Sequence, residues 1–381
     1  MLKSTIILLL CFFLAGFAHQ LLYLAFPVLA FIALVENKLQ FESNNAMKLF
    51  FWFFVFVLLL FVIQTILFDE IRMYAFKGVF RYFSYLSLAI YLSYSEPESI
   101  KKILENIIKI FSVLTPYGFV EVIMKERYVF VFHHSNNLAY ALVLLSFFNL
   151  ISDFKYKWWY FAALTMSIFL TKSSGGTMVL ILLTLFHLVF VEKTSVQTKT
   201  IVLSTVVAGM AGLIYLFPER IQEQVNDFGL VNLDMIYYRA VHHQFGSYGS
   251  GVWRITYWIG IMKEFLNSHC TVLLFGLGLD KMTFGNYAYK FMNIDPHNDY
   301  VKVATEMGSA GILFLLYFFY RTLKNLNGKY GFVLVLIIPM YFGNILVNFP
   351  YMMLYIIIMT YLVKDKMRLE SVSLLKSQTS K

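Results

Sequence analysis

His297 is the residue whose position best suits proton transfer. It lies in the segment 295–300, Asp-Pro-His-Asn-Asp-Tyr, which leads into an apolar run. Asp before Pro is typical of a helix start, so we predict Asp295 as the N-cap and Pro296 as the first helical residue. His297 would then lie in the first turn, where the helix dipole disfavours an imidazolium. A neutral imidazole there is a candidate general base, and the alternative is a histidine that only caps or hydrogen-bonds.

Arg254 is a candidate for anion binding, because a guanidinium binds phosphate or carboxylate through two parallel hydrogen bonds. Arg254 and Trp258 are four residues apart and would share one face of a helix. Trp253 and Trp258 at the two ends of this stretch favour a helix at the membrane interface. The guanidinium would then lie at the depth of lipid phosphates. An interfacial anchor that binds no ligand is the alternative.

The remaining motifs predict neither a nucleotide site nor a metal site. Gly276 and Gly278 lack the third glycine and the strand–helix context of a dinucleotide-binding loop, so we interpret them as residues of a tight turn. Two adjacent histidine pairs lack a third ligand at metal-binding spacing, namely His133-His134 and His242-His243. We therefore predict no metal and no cofactor.

The elements that must position these residues are membrane helices. The 381 residues are 59% hydrophobic and 14% charged, with a mean hydropathy of +0.68, whereas soluble domains carry about 25% charged residues. A helix needs about 20 apolar residues to cross the hydrocarbon. We predict an all-α polytopic membrane protein of about 12 helices (10–12), at 5–18, 21–35, 47–68, 79–95, 103–124, 137–152, 157–171, 175–192, 199–217, 298–320, 329–347 and 349–363.

The charge distribution predicts an orientation and four regions. Lysines cluster in the loops that face the cytoplasm if both termini are inside, as the positive-inside rule requires. The regions are an N-terminal part of about nine helices, a large periplasmic loop with interfacial helices, the last three helices and a cytoplasmic tail, at 1–217, 218–297, 298–363 and 364–381. The net charge of +9 includes no basic block that would predict nucleic-acid binding.

Arginine follows a different distribution from lysine. Six of the eight arginines lie on the predicted outer side: Arg72, Arg81, Arg127, Arg220, Arg239 and Arg254. One interpretation is that these arginines bind phosphate or carboxylate. Interfacial snorkelling and loop solubility are the alternative explanation for each of them.

The order of these motifs resembles that of the O-antigen polymerases (Wzy-type) and O-antigen ligases. Members of this superfamily have about a dozen helices and a large external loop before the last three. The matching elements are Arg254…Trp258, Gly276…Gly278, His297-Asn298-Asp-Tyr-Val301 and Glu306…Gly308. The resemblance covers 253–311, and topology supports the rest. Two departures are Val301 in place of a family leucine and the stretch 172–176, Lys-Ser-Ser-Gly-Gly, which lacks a family arginine.

The resemblance implies a metal-independent glycosyltransferase of the bacterial inner membrane that serves polysaccharide or lipopolysaccharide biosynthesis. A polymerase moves the growing glycan from undecaprenyl diphosphate onto the next lipid-linked repeat unit at the outer, periplasmic face; a ligase moves it onto lipid A core. Donor and acceptor are both bound at the membrane, and a chain-length regulator is a further expected partner. The residues implied are His297 as base, Arg254, Arg239 and Arg220 for the diphosphate, and the supporting Asn298, Asp299, Tyr300, Glu306 and Trp258.

A membrane transporter or flippase is the alternative from another class. Such a protein would place charged residues or broken helices near the middle of the bilayer. The predicted helices are mostly free of charge, and the polar residues gather at the outer end. This distribution favours the polymerase over the transporter.

Overall fold

The structure is a computed structural model. It describes residues 19–37, 44–68, 73–125, 127–130, 134–190, 195–216, 232–244, 250–282, 295–326 and 330–379, together with Ile7, Leu10, Cys11, Leu14, Phe132, Tyr289 and Phe291. Over these residues the chain is all-helical, and no β-strand occurs.

Fourteen helices form within the described residues. They are α1 (His19–Glu36), α2 (Asn45–Phe68), α3 (Met73–Ser93), α4 (Pro97–Lys125), α5 (Ser135–Ile151), α6 (Lys157–Leu170), α7 (Ser174–Phe190), α8 (Val196–Leu216), α9 (Leu233–Val241), α10 (Ser250–Leu266), α11 (Cys270–Phe275), α12 (Asp299–Asn325), α13 (Tyr330–Phe342) and α14 (Phe349–Thr379). Each of α1 to α8 and α12 to α14 overlaps one predicted helix. The first predicted helix, 5–18, lies mostly outside the described residues.

The outer surface of the helix bundle is apolar. Three helices, α2, α4 and α12, are long and apolar enough to cross a membrane, and four shorter apolar stretches accompany them, 20–36, 135–151, 174–187 and 333–342. On α2, large apolar side chains such as Leu59 and Ile66 are 58% and 74% exposed. Soluble proteins do not expose faces of this kind. The chain is therefore a membrane protein by these criteria, and its twelve crossings remain a prediction.

Helix α14 forms the centre of the bundle. It packs against α2, α3, α4 and α5, and every residue from Tyr351 to Met359 is fully buried. A helix that is hydrophobic on all sides is stable where other helices surround it. Beyond Val363 the same helix continues through the predicted tail as far as Thr379.

Helix α12 is broken in its first third. Gly308 has φ 67° and ψ −164°, far from helical values, so the segments on either side are separate helical pieces. Its first piece buries Asp299, Lys302 and Glu306. The helices were predicted to be mostly free of charge, and α12 is an exception, because it is broken at Gly308 and buries three charged residues.

Candidate functional site

The segment before α12 forms a turn rather than the start of the helix. Asn298 is the N-cap, and its Oδ1 accepts hydrogen bonds from the backbone N–H groups of Tyr300 (2.9 Å) and Val301 (3.1 Å). Asp295 accepts instead from the N–H of His297, at 3.3 Å. The prediction that Asp295 caps the helix with Pro296 as its first residue is therefore wrong. Asn and Asp are equally good caps, and the asparagine lies closer to the helix.

A side chain from the α13–α14 connection holds His297 in this turn. The His297 backbone has φ 50°, in the left-handed region that His tolerates better than most residues. Asn344, between α13 and α14, donates from Nδ2 to Asp295 Oδ1 at 2.7 Å, and the same Nδ2 lies 3.3 Å from His297 Nδ1. An amide nitrogen can only donate, so Nδ1 accepts. The neutral ring therefore carries its proton on Nε2.

The surroundings of His297 keep its ring neutral. Burial lowers its pKa from the ordinary value of 6.5, the carboxylate of Asp295 opposes this effect, and the positive charge of Arg254 reinforces it. His134 and Lys302 lower the pKa further. The neutral imidazole expected from the sequence is thus supported, but by burial and neighbouring cations rather than by a position within the helix.

Helix α10 brings Arg254 to the same turn. Trp258 is 9% exposed and donates from Nε1 to the carbonyl of Pro296 at 2.6 Å. Its ring also meets that of Tyr341 edge-on, with centroids 5.2 Å apart. Arg254 lies one helical turn earlier, and its Nε is buried without a hydrogen-bond partner in the part of the chain that the structure describes. Trp258 therefore holds the turn in position. This role differs from that of the interfacial anchor expected from the sequence.

A groove lies beside Trp258, between α9 and α10. Its volume is about 420 Å³, and its lining is mainly apolar, consisting of Tyr237, Trp258, Ile259, Met262, Lys263, Leu266 and Asn267. The described part of 218–297 thus supplies both a surface groove and a side chain that reaches the His297 turn.

Asp299 and Tyr300 connect the start of α12 to the next two helices. Asp299 Oδ2 accepts from the N–H groups of Ile345 (2.5 Å) and Leu346 (3.0 Å) in the α13–α14 connection. The hydroxyl of Tyr300 donates to the carbonyl of Ile337 in α13 at 2.8 Å. These contacts also place Asn344 beside His297. The structure thus gives both residues, predicted as supporting, a positioning contact.

The two glycine motifs meet at the break in α12. Leu277 N donates to Thr305 O at 2.7 Å, and Gly278 N donates to Glu306 O at 3.3 Å. A Cβ on Gly276 would lie 2.2 Å from the Glu306 carbonyl, and one on Gly308 would lie 2.4 Å from the carbonyl oxygen of Leu274. Gly276 also has φ 78°, which agrees with the predicted turn. Both glycines are also required because the two backbones approach closely, which the sequence pattern alone does not indicate.

Gln64 and Glu306 secure this contact. Gln64, from the apolar helix α2, donates from Nε2 to Phe275 O (2.6 Å) and Glu306 O (2.8 Å) and accepts from Leu279 N at 3.0 Å. Glu306 Oε1 accepts from Met282 N at 2.8 Å. Glu306, predicted as a supporting residue, thus holds the loop after α11 against α12.

A buried ion pair lies next to this contact. Arg81 of α3 binds Asp280 through two hydrogen bonds, of 3.0 Å and 2.8 Å, and the two side chains are 1% and 4% exposed. Lys302 is 3% exposed, and its Nζ lies 3.7 Å from Asp295 Oδ2, beyond hydrogen-bond distance. Arg81 is one of the six outer arginines that could bind an anion by their predicted position. Its partner in the structure is a carboxylate of the chain itself, that of Asp280.

The other predicted residues lie on other elements than the His297 turn or outside the described part. Arg239 is on α9, which packs against α10, and Arg220 lies outside the described residues. The Lys172–Gly176 stretch begins α7, where Ser173 Oγ accepts from Gly176 N at 3.1 Å. Lys172 itself has φ 52°.

Four residues were not predicted as functional candidates: Asn344 and Lys302 beside the His297 turn, His134 among the groups that affect the pKa of His297, and Gln64 at the break in α12. A charged or amide side chain inside an apolar run was the available signal for Lys302 and Gln64. Asn344 and His134 had no such signal, because only the fold brings them to His297.

No protein-family model matches the chain, and no curated protein matches its sequence.

Proposed function

We propose that the protein is a polysaccharide repeat-unit polymerase of the bacterial inner membrane. It would move a growing glycan from undecaprenyl diphosphate onto the next lipid-linked repeat unit at the periplasmic face. The observation that carries the proposal is the set of groups at the start of α12. A neutral His297, the Asp295 carboxylate and the Arg254 guanidinium gather at one end of an apolar helix, which is where a lipid-linked substrate would present its diphosphate.

The proposed reaction forms one bond and breaks another. The acceptor hydroxyl oxygen attacks the anomeric carbon of the donor sugar, and the bond from that carbon to the diphosphate oxygen breaks. Undecaprenyl diphosphate leaves with the electron pair, and the hydroxyl proton passes to a base of the enzyme. Arg254 would stabilise the leaving diphosphate, because its Nε is buried and none of the described residues accepts a hydrogen bond from it.

Two groups can serve as the base. His297 accepts a proton at Nδ1 only if the contact with Asn344 opens, because Nδ1 is the acceptor in that contact. Asp295 is the second candidate, since its side chain is 19% exposed and lies in the same turn. With Asp295 as base, the Nε2–H of His297 would donate to a substrate oxygen.

Deletion of the gene tests the function directly. One repeat unit on the core, without longer chains, is the expected gel pattern for surface glycan. A complete loss of repeats with lipid-linked polymer accumulating would instead identify an O-antigen ligase. Unchanged glycan would overturn both assignments.

Complementation with variants tests the site. His297→Ala should abolish long chains while the protein still accumulates, and Arg254→Lys should be strongly impaired because a lysine cannot form the two parallel bonds. The matched controls are His242→Ala and Arg127→Lys, which change exposed residues. Near-normal chain length in Arg254→Lys would argue against bidentate binding of the diphosphate.

One observation favours a transporter or flippase as the second candidate. Helix α12 is broken at Gly308 and buries three charged residues, and transporters use broken helices with ionisable groups at their binding sites. Uptake or flipping of a labelled lipid-linked substrate by vesicles that contain the purified protein, without elongation of its glycan, would favour this alternative.

A further inference from the structure

Lys302 has unsatisfied hydrogen-bond donors beside the His297 turn. Its ammonium carries three donor hydrogens, and none of them has an acceptor within hydrogen-bond distance among the described residues. The nearest carboxylate oxygen is Asp295 Oδ2, at 3.7 Å. The side chain is 3% exposed, so it is shielded from bulk water. A buried ammonium whose hydrogen atoms lack acceptors is stabilised when a further partner supplies them.

Two neighbouring side chains, Arg254 and Asn344, also have buried polar atoms without hydrogen-bond partners among the described residues. The Nε of Arg254 is a second buried donor of this kind, and Asn344 Oδ1 is a buried acceptor of this kind. Lys302 lies 3.7 Å from Asp295, and Asn344 contacts both Asp295 and the His297 ring. Arg254 lies one helical turn before Trp258, which donates to Pro296 in the His297 turn. Two cationic donors and a neutral acceptor suit a ligand that combines phosphate oxygens with a hydroxyl.

We infer that Lys302 is a phosphate-binding residue, which together with Arg254 holds the diphosphate of the lipid-linked substrate. This inference rests on the proposed function for the identity of the ligand. Asn344 Oδ1 would accept from a sugar hydroxyl next to that diphosphate. Asp295 Oδ2 lies 3.7 Å from the ammonium, which would turn toward the phosphate when substrate binds.

The test measures the thermal unfolding of the purified full-length protein in detergent, at constant ionic strength, against increasing inorganic pyrophosphate. Pyrophosphate should raise the unfolding temperature of the wild type. Lys302→Met should need at least tenfold more pyrophosphate for the same shift. Lys109→Met removes a lysine that is 46% exposed on α4 and serves as the matched control, which should respond like the wild type.

A second pair of variants keeps the test decisive if Lys302→Met folds poorly. Asp295→Asn removes the competing carboxylate and should tighten pyrophosphate binding. The double variant Lys302→Met with Asp295→Asn has no net charge change and should lose the response again. Equal responses of the wild type, Asp295→Asn and the double variant would overturn the inference.

A further arm separates the source of the phosphate. Phosphatidic acid added to the micelles presents a lipid phosphate without a diphosphate. A shift that depends on Lys302 with phosphatidic acid but not with pyrophosphate would overturn the diphosphate assignment. Because binding is measured on the purified protein, a failure here is distinct from an unchanged glycan in the deletion strain, which would contradict the proposed function alone.

Discussion

Helix α14 and the first piece of helix α12 are both buried, but different forces hold them. The segment Tyr351–Met359 of α14 is fully buried, and each of its residues has an apolar or aromatic side chain. The first piece of α12 ends at Gly308 and is held by directional bonds from α2, the loop after α11 and the α13–α14 connection. Apolar packing tolerates a change of shape if the volume is kept, whereas a buried polar contact loses most of its stabilising effect when one partner is removed.

Of the substitutions that test this contrast, Gly276→Ala should lower the free energy of unfolding most. The new Cβ would lie 2.2 Å from the Glu306 carbonyl at a residue with φ 78°, so the backbone contact with α12 cannot form. We expect a loss of about 4 kcal/mol or more of the free energy of unfolding, seen as a low yield and a lower unfolding temperature in detergent.

Gly251→Ala on α10 is the control for the glycine prediction, because no atom lies within 4 Å of the added Cβ. It should keep the wild-type unfolding temperature. Equal behaviour of the two alanine variants would mean that the glycine contact with α12 does not stabilise the fold.

Arg81→Leu should have the next largest effect. It leaves Asp280 as an uncompensated buried carboxylate, and breaking a buried pair in this way costs about 3–5 kcal/mol. The exposed pair of Arg368 with Glu98 offers the same chemistry in water, so Arg368→Leu should leave thermal unfolding unchanged. A buried pair that proved as dispensable as the exposed one would remove the distinction between the two regions.

Gln64→Leu sharpens the contrast within apolar helices. It removes three hydrogen bonds to the loop and to α12, and we expect it to cost about 1–3 kcal/mol although it makes α2 more apolar. Ile357→Met in the centre of α14 keeps the volume and should cost less than about 1.5 kcal/mol. Thermal unfolding in detergent measures both, and a more stable Gln64→Leu protein would contradict the assigned role.

The pH dependence of unfolding should show the smallest effect. The pKa of His297 is lowered in the folded state, so above the unfolded value of 6.5 the ring is neutral in both states and contributes no dependence. As the pH falls below 6.5, the unfolded chain takes up the proton first, and stability decreases until the folded pKa is passed. His297→Asn should therefore unfold with a weaker decrease between pH 7.5 and 5.5 than the wild type. An unchanged slope would show that the ring is not buried as described.

The apolar runs of the sequence predicted the helix positions well. Residues 47–68 became α2 (Asn45–Phe68), and the charges in 103–124 did not prevent α4 (Pro97–Lys125), because a long apolar run has no other way to satisfy its backbone. Arg254 and Trp258 share a helix as the spacing predicted. The start of α12 was misplaced by three residues, because two good capping residues compete within the segment 295–298.

Composition and local pattern therefore determined the class of protein and the positions of its helices, since hydrophobicity and capping act over a few residues. The contacts that distant parts of the chain make at His297 and at Glu306 depended on the tertiary structure. Gln64 meets Glu306 across 242 positions of the chain, and Asn344 reaches the ring from a connection 47 positions away. Contacts of this kind arise only when helices pack, because each one joins groups that have no local relation in the sequence.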